Sequence, residues 1–249
     1  MKKLMMALMG MMAMVVMAAC GNSAAEGETW RVGTSADYYP FIFIDEDTNQ
    51  ITGFDFELIS EIAERMGATV EMVDMDFTGL IPALQTGRID VIIAGMTNRA
   101  DRAEVVDFTQ VYHNSYEVAL TTVDHDINSF EDLNGLTVGV QTGTIQEMAA
   151  EALLEEGYDF TIMSMSRIPE LVQQVLNGRA DVVFMDAVVV GNYLNTFDGL
   201  QVAEIFEKDE EGSAIALPLG SDKTEEFNAI LDELREDGTL QALADKWFN

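Results

Sequence analysis

An internal repeat constrains the fold of this chain more than any other feature. Residues 80–94 are matched 91 residues later by 171–185, and both copies read as a helix, a Gly-Arg-x-Asp corner and an apolar strand. The glycine of each corner stands where a helix ends and a positive φ is useful. A repeat with so long a separation favours two lobes of similar build over a short-period solenoid.

Strand-like and helix-like segments alternate along the chain. Strands are predicted over 30–34, 41–44, 69–74 and 89–94, and helices over 53–66, 79–86, 227–235 and 240–247. The almost wholly apolar run 89–94 is typical of a sheet covered on both faces. The alternation predicts an α/β fold in which mainly parallel sheets are flanked by helices.

The repeat also predicts how the chain is divided. We place lobe one at 30–115 plus 213–249 and lobe two at 116–212. The chain then crosses between the lobes twice, and two crossing segments form a hinge beside a cleft.

The N-terminus is typical of a lipoprotein. Lys2 and Lys3 precede an uncharged apolar stretch, so residues 1–19 read as a signal peptide. Small residues precede Cys20, the one cysteine of the chain, and we expect cleavage to leave Cys20 as a diacylated, palmitate-bearing N-terminus; the alternative is an ordinary signal peptide with an incidental cysteine. Residues 20–29 then form the lipidated cysteine and a flexible tether. No later segment has eighteen uncharged apolar residues, so the lipid is the expected membrane attachment of an extracytoplasmic protein.

Charge and cysteine content exclude several classes of function. The chain has 13 Lys plus Arg against 44 Asp plus Glu, a net charge of −31, which repels the phosphates of nucleic acids. A single cysteine allows neither an intrachain disulfide nor a cysteine-based zinc site. His113 and His125 are too far apart for a helical metal pair, so we predict no metal site and no cofactor.

The candidate site lies in loops that follow strands, because ligands of open α/β sheets bind beyond the carboxyl ends of the strands. The 91-residue offset places the carboxylate of Asp186 opposite the bare backbone of Gly95. Arg102 follows the first of these loops and Thr144 begins a helix after a strand. The candidate ligand-binding residues are Tyr38, Phe77, Gly95, Met96, Thr97, Arg102, Gln141, Thr144 and Asp186.

These residue types suit a zwitterion. Arg102 can hold a carboxylate through two hydrogen bonds. The backbone N–H of Thr144, at a helix start, can add a donor, and Asp186 can take an ammonium group. Tyr38 and Phe77 can enclose the carbon chain between these groups.

Each of these residues also has a structural interpretation. Arg102 lies near Asp101, Glu104 and Asp107 in sequence and could form a solvated ion pair. Asp186 and Thr144 could only cap helices. Phe77 could belong to the core and Tyr38 to the surface.

The ordered motifs resemble the extracellular solute-binding proteins of the polar amino-acid family, family 3. Gly53-Phe54-Asp55 is one such motif. The others lie at 33–41, 76–84, 94–102, 106–109, 139–144, 181–186 and 238–248. The resemblance implies a two-lobed periplasmic-binding-protein fold of type II. It implies a monomer that closes on an amino acid and delivers it to the permease of an ABC importer, with Tyr38 and Phe77 flanking the ligand side chain.

Two departures bear on the ligand. Members that prefer cationic amino acids usually carry an acid at the position of Ser35, although Asp37 lies nearby. Glutamine-preferring members often carry His at the position of Met185. Residues 76–90 look most like the glutamine type, so we expect a neutral polar amino acid such as glutamine, with a cationic one as the alternative.

Two other classes of function are weighed against transport. Cyclohexadienyl dehydratases share the fold, but their chemistry needs a general acid over the leaving hydroxyl. The carboxylates that we can name in the cleft are Asp37 and Asp186, and the second is assigned to the ammonium group. A sensory lipoprotein without transport would keep the fold. We therefore predict a binding protein and not an enzyme.

Overall fold

The computed structural model of this protein describes residues 27–208 and 211–248. The predicted signal peptide and Cys20 lie outside the described residues. The predicted tether runs on to residue 29, but the fold starts earlier: strand β1 begins at Thr29, and the carbonyl of Glu28 accepts a hydrogen bond from the Thr69 N–H over 2.9 Å.

The first sheet lies in lobe one and has five strands in the order β5-β1-β6-β15-β7. Its strands are β1 (Thr29–Thr34), β5 (Thr69–Asp74), β6 (Val91–Ile92), β7 (Val106–Phe108) and β15 (Ala216–Pro218). β1 pairs in parallel with β5 and β6, whereas β15 runs antiparallel to both of its neighbours.

The second sheet, in lobe two, repeats this arrangement in the order β11-β10-β12-β9-β13. Its strands are β9 (Glu117–Thr122), β10 (Thr137–Gln141), β11 (Thr161–Met165), β12 (Val182–Asp186) and β13 (Leu200–Ala203). Here β9 is the reversed strand. In each sheet the reversed strand is the one that follows a crossing between lobes.

Helices cover the sheets. They are α1 (Phe54–Arg65), α2 (Leu80–Gln85), α3 (Ala100–Ala103), α4 (Ile145–Glu156), α5 (Ile168–Leu176), α6 (Ala187–Thr196), α7 (Thr224–Glu236) and α8 (Thr239–Phe248). Short 3₁₀ turns occupy Phe77–Gly79 and Phe130–Leu133. In α1 the apolar positions Leu58, Ile59 and Ile62 are fully buried, as a helical period that faces a sheet requires.

The aspartate of each repeat copy has the same structural role. Asp90 accepts a hydrogen bond from the backbone N–H of Arg31 in β1 over 2.9 Å, and Asp181 accepts one from the N–H of Thr137 in β10 over 2.7 Å. Each aspartate thus ties the start of the buried strand β6 or β12 to the neighbouring parallel strand. This shared contact explains why an aspartate stands at the same position of the Gly-Arg-x-Asp corner in both repeat copies.

Two short sheets complete the fold. β8 (His113–Ser115) pairs antiparallel with β14 (Glu211–Ser213), and these are the two segments that connect the lobes. β2 (Asp37–Tyr38), β3 (Ile42–Asp45) and β4 (Gln50–Thr52) form a small sheet on lobe one. The predicted lobe boundaries, residues 116 and 212, lie beside and within this connection.

The predicted two-lobed α/β fold with helix-flanked sheets is confirmed, and each large sheet is mixed, with four strands running in one direction and one reversed. One strand is shorter than predicted: β6 covers Val91–Ile92 and not 89–94, because the chain leaves the ladder to form the loop through Gly95. Among the described helices, none has the length and apolarity that a membrane span needs.

Candidate ligand-binding cleft

A cleft lies between the lobes, where the carboxyl ends of strands from both sheets meet. Predicted candidates that line it are Tyr38, Phe77, Gly95, Thr97, Arg102, Gln141, Thr144 and Asp186. Further lining residues are Ser35, Asp37, Ala94, Ser115, Glu117, Ile145, Gln146 and Ser213. Both lobes and both hinge strands therefore contribute to one site.

Met96 is the candidate that the structure does not place in this cleft. Its side chain is 1% exposed and packs in the apolar cluster of lobe one with Leu80 and Leu84. Its backbone carbonyl accepts a hydrogen bond from the N–H of Ala214. Met96 therefore holds the loop to the hinge segment, and its neighbours Gly95 and Thr97 face the cleft.

Arg102 is buried at the wall of the cleft, with only 5% of its surface exposed. Its guanidinium donates to the carbonyl of Thr97 over 3.0 Å and, across the lobes, to the carbonyl of Gly143 over 2.9 Å. It also stands 5.2 Å from the centre of the Phe77 ring. This burial is unlike that of a solvated surface residue, and it places the guanidinium of Arg102 in the wall of the cleft.

The Gly95 loop is held by a buried carboxylate. Asp55, in the first turn of α1, accepts a hydrogen bond from the Gly95 N–H over 2.8 Å, and burial raises the pKa of Asp55 to about 7. Gly95 has φ 57°, and a Cβ there would lie 3.2 Å from atoms of the Tyr38 ring. The left-handed backbone conformation favours glycine at this position, and a side chain here would also press against the Tyr38 ring.

The start of helix α4 forms part of the opposite wall, in lobe two. The Thr144 hydroxyl donates to the carbonyl of Gln141 over 2.6 Å and accepts from the N–H of Glu147. The Thr144 N–H makes a long bond of 3.4 Å to the same Gln141 carbonyl, so it is less available to a ligand than the sequence suggested. Helix α4 nevertheless directs its positive N-terminal end at the cleft.

Asp186 lies at the end of β12 and caps helix α6. Its Oδ1 accepts hydrogen bonds from the Val188 N–H and from the Ser115 hydroxyl, both over 2.7 Å. Burial raises the pKa of Asp186 to about 6, and these hydrogen bonds oppose the rise. Asp186 is thus a helix cap and a cleft-lining carboxylate at once, so the two interpretations of this residue are compatible.

Glu117 places a further carboxylate beside Asp186. It begins β9 and lies opposite Asp186 in the antiparallel pairing of β9 with β12, so the two side chains emerge on the same face. Sequence reasoning missed Glu117, because no local pattern tells which residue of a distant strand will face Asp186.

Asp37 connects the lobes. One of its oxygens, Oδ2, accepts from the backbone N–H of Ile168 over 2.9 Å and from the Gln141 side chain over 3.2 Å, while Oδ1 accepts from Ser35. Arg167 of lobe two lies 3.8 Å from Asp37 Oδ1 and forms closer ion pairs with Asp74 over 2.9 Å and with Asp76 over 3.2 Å. These contacts close one end of the cleft.

The electrostatic balance of the cleft is negative. Asp37, Glu117 and Asp186 line it together with one guanidinium, that of Arg102. Burial raises the pKa of the Tyr38 hydroxyl well above its usual value, and the charges of Asp186 and Glu117 raise it further. Within the described residues, no group of three or more His, Cys, Asp or Glu side chains is arranged to hold a metal ion.

Two lobes that close over a small cleft, with a cation at one wall and carboxylates at the other, define a solute-binding protein for small zwitterions. The chain belongs to the bacterial extracellular solute-binding proteins, family 3, whose family model matches residues 30–249.

Relatives with assigned ligands are similar over their full length. The arginine-binding extracellular protein ArtP of Bacillus subtilis (strain 168) is 37% identical over 254 residues, which cover 100% of this chain and 98% of ArtP. The L-cystine-binding protein TcyA of the same organism is 32% identical over 270 residues, with coverage of 100% and 98%.

Solved structures agree with the fold. An ancestral arginine-binding protein bound to arginine superposes with a TM-score of 0.85 at 36% identity, covering 90% of this chain and 100% of that one. The ancestral amino acid-binding protein AncCDT-1, a precursor of cyclohexadienyl dehydratase, superposes with a TM-score of 0.81 at 36% identity, covering 89% and 96%.

Proposed function

We propose that this protein captures a cationic α-amino acid, arginine foremost, outside the cytoplasm and delivers it to the permease of an ABC importer by closure of the cleft. The observation that carries the proposal is the set of three carboxylates, Asp37, Glu117 and Asp186, which line the cleft beside a single guanidinium.

The charge balance distinguishes ligand classes. In this proposal the α-carboxylate of the amino acid pairs with Arg102 and its α-ammonium with Asp186. Asp37 already faces the Arg167 guanidinium over 3.8 Å. Glu117 adds a further carboxylate to the cleft lining, and a ligand with a side-chain cation meets this negative lining more favourably than one with a neutral side chain. At 4 Å and an effective dielectric constant of about 20, one such pair is favourable by roughly 4 kcal/mol before desolvation.

The expectation of a neutral ligand such as glutamine stays a prediction. It depends on Ser35 and on residues 76–90, and it takes no account of the carboxylate of Glu117. The relatives support the cationic proposal through ArtP and through the ancestral arginine-binding protein bound to arginine. An ancestral arginine-binding protein has also been solved bound to glutamine. Both ligands therefore belong in the test.

Calorimetric titration tests the proposal directly. Wild type and Glu117→Gln are titrated with L-arginine, L-lysine, L-glutamine, L-cystine and prephenate. We expect wild type to bind arginine at least about tenfold more tightly than glutamine, and Glu117→Gln to lose most of that preference, since one carboxylate is worth about 1 kcal/mol or more in such a site. Exposed Glu46→Gln is the control for a lost charge far from the cleft.

The outcomes separate the candidate functions. Tighter binding of glutamine than of arginine contradicts the cationic proposal and keeps the amino-acid class. Turnover of prephenate contradicts the proposal that this protein binds without catalysis. Failure of all four titrated amino acids to bind to a folded sample contradicts capture of arginine, lysine, glutamine and cystine.

We further propose that the protein is a monomer anchored by lipid on Cys20. This proposal depends on the sequence around Cys20, which lies outside the described residues. Palmitate labelling and membrane fractionation of wild type and Cys20→Ser test the anchor, because the variant should lose the label and leave the membrane fraction. Light scattering of the purified protein tests the monomer.

A further inference from the structure

The hydroxyl of Ser115 has a defined direction. Ser115 ends the hinge strand β8, is 9% exposed, and donates its hydroxyl proton to Asp186 Oδ1 over 2.7 Å. A serine hydroxyl has one proton and two acceptor lone pairs. With the proton given to Asp186, the oxygen of Ser115 can offer only acceptors to the cleft that it lines.

The same bond orients Asp186. The Val188 N–H also donates to Oδ1, so this oxygen holds two donors, one from the helix that Asp186 caps and one from the hinge. The carboxylate is thereby fixed from two sides, and Oδ2 is the oxygen that a ligand can use. Ser115 and Asp186 together present an acceptor-only surface to the cleft.

We propose that Ser115 belongs to the ammonium site, where it positions Asp186 and itself accepts a hydrogen bond from the α-ammonium group of the ligand. The proposal deepens the proposed function and rests on it for the identity of the ligand. An ammonium group is all donor, so an acceptor-only pair selects it over a hydroxyl or a carboxylate at the same place.

Other charged and titratable groups near Ser115 and Asp186 also affect the pKa of Asp186. Glu117 on β9 lies opposite Asp186, and Tyr193 is on the helix that Asp186 caps. The remaining titratable or charged groups that line the cleft are Asp37, Tyr38 and Arg102. None of them is altered in the experiment below, so a change in the titration of Asp186 reports the loss of the Ser115 bond.

The experiment compares two ligands that differ only in the α-amino group. Wild type, Ser115→Ala and Ser115→Thr are titrated with L-arginine and with its deamino analogue 5-guanidinopentanoate. Ser60→Ala is the control, because Ser60 bonds a carbonyl of its own helix, α1, in lobe one. The pKa of Asp186 is followed in parallel by carboxyl carbon NMR on the ligand-free proteins.

We expect Ser115→Ala to weaken arginine binding about tenfold, the usual effect of a lost hydrogen bond to a charged group, and to leave the analogue within about twofold. Ser115→Thr keeps the hydroxyl and should retain most of the arginine affinity. The pKa of Asp186 should rise in Ser115→Ala, since a donor to its charged form is lost.

Two results would overturn the inference: equal losses for arginine and the analogue, or unchanged arginine affinity together with an unchanged pKa of Asp186. If wild type binds glutamine and not arginine, the proposal of a cationic ligand is wrong. The role of Ser115 is then tested by the same comparison with glutamine and its deamino analogue 4-carbamoylbutanoate. If wild type binds neither, the NMR titration still decides whether Ser115 positions Asp186.

Discussion

Asp37 of lobe one accepts a hydrogen bond over 2.9 Å from the backbone N–H of Ile168, the first residue of helix α5 in lobe two. A carboxylate at this position satisfies an N–H that the helix itself leaves without a partner and interacts favourably with the helix dipole. The capping group comes from the other lobe, so the bond exists only when the cleft is closed. Asp37 therefore stabilises the closed form.

Substitution of Asp37 should make closure less favourable. We expect Asp37→Ala to raise the Kd of the bound amino acid about tenfold, because a charged helix cap contributes on the order of 1 kcal/mol and the Gln141 contact is lost as well. Small-angle scattering should show a larger radius of gyration for the ligand-saturated variant than for wild type. Asp47→Ala, in the exposed β3–β4 turn, is the matched control, and equal compaction of both variants would contradict the assignment.

Arg167 should be coupled to Asp74 across the cleft. The pair is partly exposed, with side-chain exposures of 23% and 31%, and its 2.9 Å contact joins the two lobes. A double-mutant cycle of Arg167→Ala and Asp74→Ala on ligand affinity should give a coupling of about 0.5–1 kcal/mol at low salt. The coupling should shrink as salt is added, and a salt-independent value would show that the pair does not act through charge.

Arg102 should be the most costly cleft residue to remove. Arg102→Ala leaves the ligand carboxylate buried without its partner, a loss of about 3 kcal/mol, so we expect Kd to rise roughly 100-fold. Arg102→Lys keeps the charge but cannot form two parallel hydrogen bonds to a carboxylate, so its Kd should lie between those of wild type and Arg102→Ala. Arg88→Ala, exposed at the first repeat corner, is the control, and calorimetric titration is the measurement.

Ligand affinity should fall in acid. Burial raises the pKa of Asp186 to about 6 in the ligand-free protein, and an ammonium ligand favours the ionised form. As the pH falls through 6, a growing share of the protein must lose a proton to bind, so we expect Kd to rise about tenfold between pH 7 and pH 5. Asp186→Asn should bind weakly with a flatter profile, and a steep profile in that variant would assign the titration to another group.

Asp55 should make the protein less stable as the pH rises. Its pKa is about 7 in the fold against 3.8 for the unperturbed group, so the unfolded chain loses this proton first. The contribution of Asp55 to the free energy of unfolding therefore falls between about pH 4 and pH 7, by at most about 1.4 kcal/mol per pH unit.

Urea denaturation of Asp55→Asn tests this expectation. The amide keeps an oxygen for the Gly95 N–H and does not titrate in this range. Relative to wild type, the variant should gain stability as the pH rises from 5 to 7. A constant difference between the two proteins would show that Asp55 does not titrate there.

Local sequence patterns were sufficient to predict many of the helices and strands. The strand predicted at 69–74 is β5, and the helix predicted at 53–66 is α1 within a residue at each end, because side-chain period and turn residues act within a few positions. Local patterns say less about side-chain direction at an irregular strand end. Met96 is predicted beside Gly95 and Thr97 in the cleft, whereas in the structure its side chain lies in the core of lobe one.

The two-lobed fold, the repeat corners at Asp90 and Asp181, and the strand-end loops that carry Arg102 and Asp186 could all be predicted, because each depends on periodicity or on a repeat that can be read along the chain. The contacts between distant residues could not be predicted in this way: Glu117 and Ser115 lie beside Asp186, and Asp37 caps the helix that starts at Ile168. Those contacts join segments far apart in the chain. They are set by the pairing of β9 with β12 and by the closure of one lobe on the other, which no local preference specifies.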